Sequence, residues 1–273
     1  MSKSTIKRKS KTVSSKAQTA TLVKKRADQY NDPNHNYLEY WDGRDYEHAS
    51  EEIAIKRFLG AKTFKNAADI GGGYGRLCIM LRKYADKVTL AEPSKQQLDI
   101  AKTYLKDYPD VKRLLTQADD LKFKDKSLDL ITVIRVMHHL PDPAKEFKEL
   151  ARVLADDGMI ILEIANYAHG RNRIKHLIKG KKLPIEPVDI RSAKNRGKDE
   201  IAFVNHNPKT VEKQLAHAGL KVEKVLSVSN LRSPGLKKIA PKGLMLVAER
   251  ILQPTLAWTY FGPSIFFLVK RAK

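Results

Sequence analysis

The sequence predicts an α/β fold in which a doubly wound, mostly parallel sheet carries helices on both faces. Three observations predict it. Short apolar runs alternate with four-residue amphipathic periodicity in succession between Ala67 and Ile164. One run, Leu128–Val136, is too continuously Leu, Ile and Val for a sheet with one wet face and reads as a central parallel strand. A glycine cluster, Gly71-Gly72-Gly73-Tyr74-Gly75, lies between the first run and the helix that follows it.

Taken in order, Asn36–Tyr46 interleaves Tyr37, Tyr40, Trp41 and Tyr46 with Glu39, Asp42 and Asp45, and reads as a lid or cap segment. The next helix carries Ile53, Ile55 and Leu59, and Gly60 can end it in the left-handed conformation. Ala67–Ile70 reads as a strand, Arg76–Tyr84 as a helix with Leu77, Leu81 and Tyr84 on one face, and Val88–Ala91 as a second strand. Ser94, answered by Gln97 three residues later, predicts a helix start, with Leu98, Ala101 and Leu105 as its buried stripe. After Leu128–Val136 comes a helix with Asp142 as N-cap, Pro143 as first residue and Phe147, Leu150 and Leu154 inward. Asp157-Gly158 then turns into the strand Met159–Ile164.

Residues 166–207 break this rhythm. Ten Lys or Arg and two acidic residues fall between Arg171 and Lys198, around Pro184 and Pro187, which predicts a helix followed by an irregular insertion over the sheet edge. A helix over Pro208–Ala218, bounded by Asn207 and Gly219, a strand at Val222–Val228, a helix near Leu236–Leu252 and a strand at Ile265–Val269 complete the chain. No internal repeat is visible.

Composition narrows the function. The 273 residues hold 42% hydrophobic side chains, enough for a real core, and a single cysteine, Cys78, which excludes a disulfide framework and a cysteine-rich zinc site. Cys78 reads as an inert filler. No apolar run approaches the roughly 20 residues that cross a bilayer, and the basic N-terminus lacks the apolar stretch of a secretory signal, so the expectation is a cytoplasmic protein. The formal charge is +21, and residues 1–27 hold nine Lys or Arg and no acid. Residues 1–28 are expected to be a disordered basic arm. Weak association with a polyanion, RNA or an anionic membrane, is expected through residues 1–27.

The chemistry concentrates in Asp69-Ile-Gly71-Gly72-Gly73-Tyr-Gly75-Arg76, a strand that turns through side-chain-free backbone into a helix N-terminus. Such a turn lets a ligand approach closely and meets it with helix amides. The D-x-G-x-G-x-G spacing differs from the dinucleotide fingerprint, which would need a small residue where Arg76 stands. Further motifs follow in order: Glu92 before Pro93-Ser94, Gln117-Ala118-Asp119-Asp120-Leu121-Lys122-Phe123, Ser127-Leu-Asp129, His138-His139-Leu140-Pro-Asp142, and Glu149-Leu-Ala-Arg152 running to Gly158.

With these motifs the chain resembles the class I S-adenosylmethionine-dependent methyltransferases, in the broad small-molecule, methyltransferase type 11-like group, most strongly over about residues 60–166. The resemblance implies a seven-stranded, mostly parallel Rossmann-like sheet. It also implies one methyltransferase domain over 29–273, divided into an N-terminal cap (29–60), a cofactor-binding core (61–165), an insertion or substrate cap (166–207) and a completion of the sheet (208–273). It implies S-adenosyl-L-methionine as cofactor and S-adenosyl-L-homocysteine as product. Gly71, Gly72, Gly73 and Gly75 form the loop at the methionine portion, Asp69 orders it and Glu92 takes the ribose. Gln117 stands where the family usually has aspartate, with Ala118 N–H beside it on the adenine and Asp119 as a competing candidate. Phe123 is expected in the core. Arg135 contacts the cofactor carboxylate, an anionic substrate or a salt-bridge partner.

On the acceptor side, His139, His138 and Tyr167 are the candidate catalytic residues, with Glu163 and Asn166 nearby, because imidazole titrates near neutrality and could take a substrate proton. The adjacent histidines lack a third ligand, so no metal is expected. The implied reaction is direct in-line methyl transfer to an O, N or C nucleophile of a small organic acceptor. RNA methylation through the arm and insertion, and a non-catalytic cofactor-binding scaffold, are the alternatives. An NAD-dependent oxidoreductase is disfavoured by Arg76.

Overall fold

In the computed structural model, residues 29–31, 38–196 and 201–272 are described; the expected basic arm and Tyr37 lie outside them. The chain runs α1 (Asp45–Leu59), β1 (Phe64–Ile70), α2 (Cys78–Leu81), β2 (Ala85–Glu92), α3 (Lys95–Tyr104), β3 (Lys112–Leu115), β4 (Leu128–Val133), α4 (Ala144–Val153) and β5 (Leu154–Ala165). Then follow α5 (Gly170–Ile178), β6 (Val188–Asp189), α6 (Ala193–Arg196), β7 (Val204–Asn205), α7 (Pro208–His217), β8 (Leu220–Val228), α8 (Pro234–Ile239), α9 (Lys242–Thr255) and β9 (Ser264–Arg271).

Seven strands form one sheet in the order β3-β2-β1-β4-β5-β9-β8, while β6 and β7 pair separately. The first five strands are parallel, and β9 is antiparallel to both β5 and β8. This is the mostly parallel, doubly wound sheet that the apolar runs predict. Period-two alternation sorts its side chains: Ala67, Leu130, Ile161 and Phe266 pack with α1, α2 and α3, whereas Ala68, Ile131, Leu162 and Phe267 pack with α4 and α7.

Two helix starts form as their cap residues dictate. Ser94 Oγ accepts the Gln97 N–H at 3.1 Å, and Asn207 Oδ1 accepts that of Lys209 at 3.1 Å. Other boundaries differ. The expected helix over Arg76–Tyr84 narrows to four residues, because tight bonds from Gly75 N to Gly72 O and from Cys78 N to Gly75 O prolong the glycine turn. Pro143 takes the N-cap position of α4 with no side-chain cap bond, so Asp142 does not cap it. The expected central strand stops at Val133, because Arg135 turns to a φ of +61° and its N–H leaves the sheet for Glu163. The last predicted helix divides into α8 and α9 at Pro241, whose missing N–H and ring interrupt a continuous helix.

Among the described residues no helix is long and apolar enough to cross a membrane. Cys78 is fully buried, and burial pushes its thiol up, which keeps it protonated and unreactive.

Candidate active site and cofactor pocket

The site grows out of the carboxyl end of β1. Asp69 is buried; its Oδ1 accepts the Thr132 hydroxyl at 2.6 Å, and its Oδ2 has no partner. Burial pushes its carboxyl up to about 6, against smaller opposing contributions from Thr132 and Arg76. Gly73, at a φ of +59°, donates its N–H to Glu92 Oε2 at 2.9 Å, and Ser94 N–H reaches Oε1 at 2.9 Å. Glu92 therefore clamps the glycine loop to the end of β2. A Cβ at Gly72 would collide with the ends of the Asp69 and Leu90 side chains, so a larger residue there would displace the Asp69 carboxylate. Gly75 differs from its expected role: a Cβ there would come within 2.7 Å of Leu105, so its smallness serves the packing of the loop on α3.

A cavity of about 350 Å³ opens beyond the loop. Gly71, Gly73, Glu92, Gln117, Ala118 and Asp119 line one part of it, and Arg135, Val136 and His139 another. These residues follow the carboxyl ends of β1, β2, β3 and β4, around the point where the strand order reverses between β1 and β4, the usual place for a ligand in an open parallel sheet. Asp69 and Gly72 instead border a small adjoining pocket with Trp41, Arg76 and Arg135. Phe123 is partly buried against the core, as expected.

Sequence reading missed what sits at this second pocket. Glu51, 1% exposed on α1, bonds Arg135 Nε at 2.7 Å and Arg76 Nη2 at 2.7 Å. Burial alone would push its carboxyl up, but Arg135 and Arg76 outweigh it and hold it below the usual range. Trp41 lies over both guanidiniums, at 3.7 Å from Arg76 and 4.9 Å from Arg135, and Tyr40 Oη accepts from Arg135 Nη1 at 3.3 Å. Of the alternatives for Arg135, the structure shows the ion pair. Here the only local signal was the aromatic run.

The three catalytic candidates separate. His139 lines the cavity; its Nδ1 faces the Ala202 carbonyl at 3.2 Å, and its Nε2 meets the Tyr30 hydroxyl at 2.6 Å. Burial lowers it to about 4, so the ring is neutral at neutral pH. His138 is not among the cavity residues: it packs at 4.3 Å on Phe203, and burial lowers it well below the ordinary histidine value. Tyr167 is not among the cavity residues; it is half-buried, with its hydroxyl 3.3 Å from His176 Nε2 on α5. Asn166 is committed to backbone, holding Tyr260 O, Gly262 O and Ala168 N–H. Glu163 is buried against Ser264 and the Arg135 N–H, and burial pushes it up.

The profile of the methyltransferase domain family matches residues 68–162, from the end of β1 to the end of β5. The chain carries a class I S-adenosylmethionine-dependent methyltransferase domain. It is 31% identical over 102 residues to the uncharacterized methyltransferase YcgJ of Bacillus subtilis, covering 37% of this chain and 40% of that one. It is 29% identical over 106 residues to a ubiquinone biosynthesis O-methyltransferase of Neisseria meningitidis, covering 37% and 44%. A solved S-adenosylmethionine-dependent methyltransferase of Thermotoga maritima shares its fold with a TM-score of 0.59 at 19% identity, over 87% of this chain and 95% of that one. The chain spans about two fifths of the length of these curated relatives. The match to the methyltransferase domain includes the glycine loop, Glu92 and His139, and leaves out Tyr30, Trp41 and Glu51.

Proposed function

We propose that the chain transfers a methyl group from S-adenosyl-L-methionine to an O, N or C nucleophile of a small organic acceptor by direct in-line displacement. The observation that carries this is Glu92, which holds Gly73 N–H at 2.9 Å while lining the cavity of about 350 Å³. The Gly73 and Ser94 N–H groups fix the orientation of this carboxylate, and an acceptor-only group at a strand end beside the cavity suits a pair of ribose hydroxyls. Asp69 Oδ2, buried and without a partner, suits an ammonium group brought to the glycine loop. The donor set thus fits the cofactor that the family implies.

That cofactor supplies an activated methyl group on a sulfonium. The chain supplies position and the exclusion of water. Gln117, Ala118 and Asp119 form the adenine side of the cavity, with either Gln117 or Asp119 accepting from the exocyclic amine. Trp41 stacks on Arg76 and Arg135, Tyr40 accepts from Arg135, and together they act as the cap. His139, with its proton on Nδ1 toward Ala202, presents Nε2 as an acceptor. An acceptor's proton reaches Nε2 only by displacing the Tyr30 hydroxyl or passing through it.

Isothermal titration with S-adenosylmethionine, S-adenosylhomocysteine and NAD tests the binding half. The first two bind and NAD does not, and Glu92→Ala weakens both by roughly hundredfold, as expected for losing about two charge-assisted hydrogen bonds. Labelled cofactor with fractionated cell extract tests the transfer half. Label in a small-molecule fraction is the expected result. Label in RNA would replace the acceptor class, and binding with no labelled fraction would make the chain a scaffold.

A further inference from the structure

We propose that α5, the turn after it and Trp258 form a docking face for an anionic phospholipid bilayer. Of the nine residues of α5, only Gly170 is buried, so the packing that normally holds a short helix is missing from the rest. Ile174 and Ile178 lie one turn apart with Leu177 beside them, at 58%, 79% and 81% exposure. Trp258, 83% exposed, comes from the other end of the chain to the same place: a groove of about 670 Å³ has Ile174, Leu177, Leu183 and Trp258 among its walls. Clustered apolar exposure of this kind marks an interaction surface.

The charges choose the occupant. Six Lys or Arg and no acid lie between Gly170 and Leu183, and Lys181 and Lys209 line the groove itself. Glu212, on neighbouring α7, is tied to the Tyr260 hydroxyl at 2.5 Å. The cationic turn is held in shape, with His176 Nδ1 at 3.0 Å from Lys182 O and Lys181 N–H at 2.9 Å from His176 O. A helix with aliphatic tips, flanking lysines and a tryptophan is the pattern that settles into the headgroup boundary of an anionic membrane. A second copy of this chain would set the same cations against each other. RNA would use the lysines but leave Ile174, Leu177 and Ile178 without a role, and Trp258 alone is no stacking platform. α5 starts five residues after the carboxyl end of β5, which runs parallel to β4, so the face follows the same side of the sheet as the cavity.

The test is co-sedimentation of the full chain with vesicles of equimolar phosphatidylglycerol and phosphatidylcholine, at low and near-physiological salt, with phosphatidylcholine vesicles as control. The chain binds the anionic vesicles, and tryptophan emission shifts to the blue in the wild type but not in Trp258→Phe. Leu177→Glu with Ile178→Glu lowers the partition coefficient by roughly tenfold or more, as expected for removing two inserted aliphatic side chains. Trp258→Ser is the second variant, and unchanged S-adenosylmethionine titration shows that each variant is folded. No binding to anionic vesicles overturns the proposal. So does binding that the double variant retains, which would assign it to basic segments elsewhere. An equal loss of single-stranded RNA binding in the double variant would give the face to nucleic acid instead.

Discussion

Asp69 shows how a carboxylate proposed to meet the cofactor can oppose the fold that holds it. Its carboxyl is raised by burial to about 6, above the ordinary aspartate value of 3.8. The folded chain therefore binds a proton more tightly than the unfolded chain, and this residue's contribution to stability falls as pH rises from about 4 to above 6, by about 3 kcal/mol in all. Cofactor binding has the opposite sign, because an ammonium group needs the ionised carboxylate. Affinity for S-adenosylmethionine should fall as pH drops below about 6 and level off above it. Melting and titration from pH 4.5 to 8 check both, and the slopes should flatten together in Asp69→Asn. If they persist, Asp69 is not the group responsible. His139 behaves differently, since burial holds it near 4 and it stays neutral across that range. With Tyr30→Phe the Nε2 atom loses its hydroxyl partner, so turnover should change while cofactor affinity holds. His139→Ala should lower turnover in the same way, and unchanged turnover in both variants would remove the proposed base.

At the level of elements, α1 is locked to the core by two kinds of charge pair whose values differ greatly. Glu51 is 1% exposed between Arg76 and Arg135, at 10% and 16%. Glu52, one residue on, meets Lys56 at 2.7 Å, with the two side chains 29% and 47% exposed. Removing a buried partner leaves an uncompensated charge and costs about 3 kcal/mol or more, whereas an exposed pair at this spacing contributes about 0.5 kcal/mol or less. Urea unfolding should therefore show a large loss of stability for Glu51→Ala and almost none for Glu52→Ala. Because Arg135 and Arg76 also carry Trp41, the first variant should loosen cofactor binding too. None of this was legible. Glu51 lies 25 residues from Arg76 and 84 from Arg135, and a sequence pattern carries no signal for a pair formed by tertiary packing. Cap residues are local, so the starts of α3 and α7 could be read from Ser94 and Asn207. Pro241 was equally local, and its position inside a predicted helix already signalled the division into α8 and α9.

The whole molecule divides along the same line. The part of the cavity within residues 68–162 follows from short-range chemistry: strand ends, glycines and the carboxylate of Glu92 fall there in chain order, so the fold around it was legible. The rest of the surroundings is drawn from opposite sides of that segment: Tyr30 and Ile201 join His139 in lining the cavity, Ala202 O faces His139, Trp41 and Glu51 meet Arg76 and Arg135, Tyr167 meets His176, and Asn166 holds backbone. Charge acts on both halves at once. With 52 basic and 31 acidic residues, the chain carries a formal charge of +21. Screening weakens the exposed ion pairs, which lowers stability, but it also weakens the mutual repulsion of the excess cations, which raises it. Exposed pairs such as Lys102 with Asp99 and Lys56 with Glu52 are individually small, while repulsion grows with the whole excess charge. Raising sodium chloride from about 10 mM to about 150 mM shortens the screening length from about 30 Å to about 8 Å, so the melting temperature should rise. A fall would mean that the ion pairs outweigh the repulsion. A larger rise in sulfate at equal ionic strength would point to anions bound at particular basic sites, because screening alone treats both salts alike.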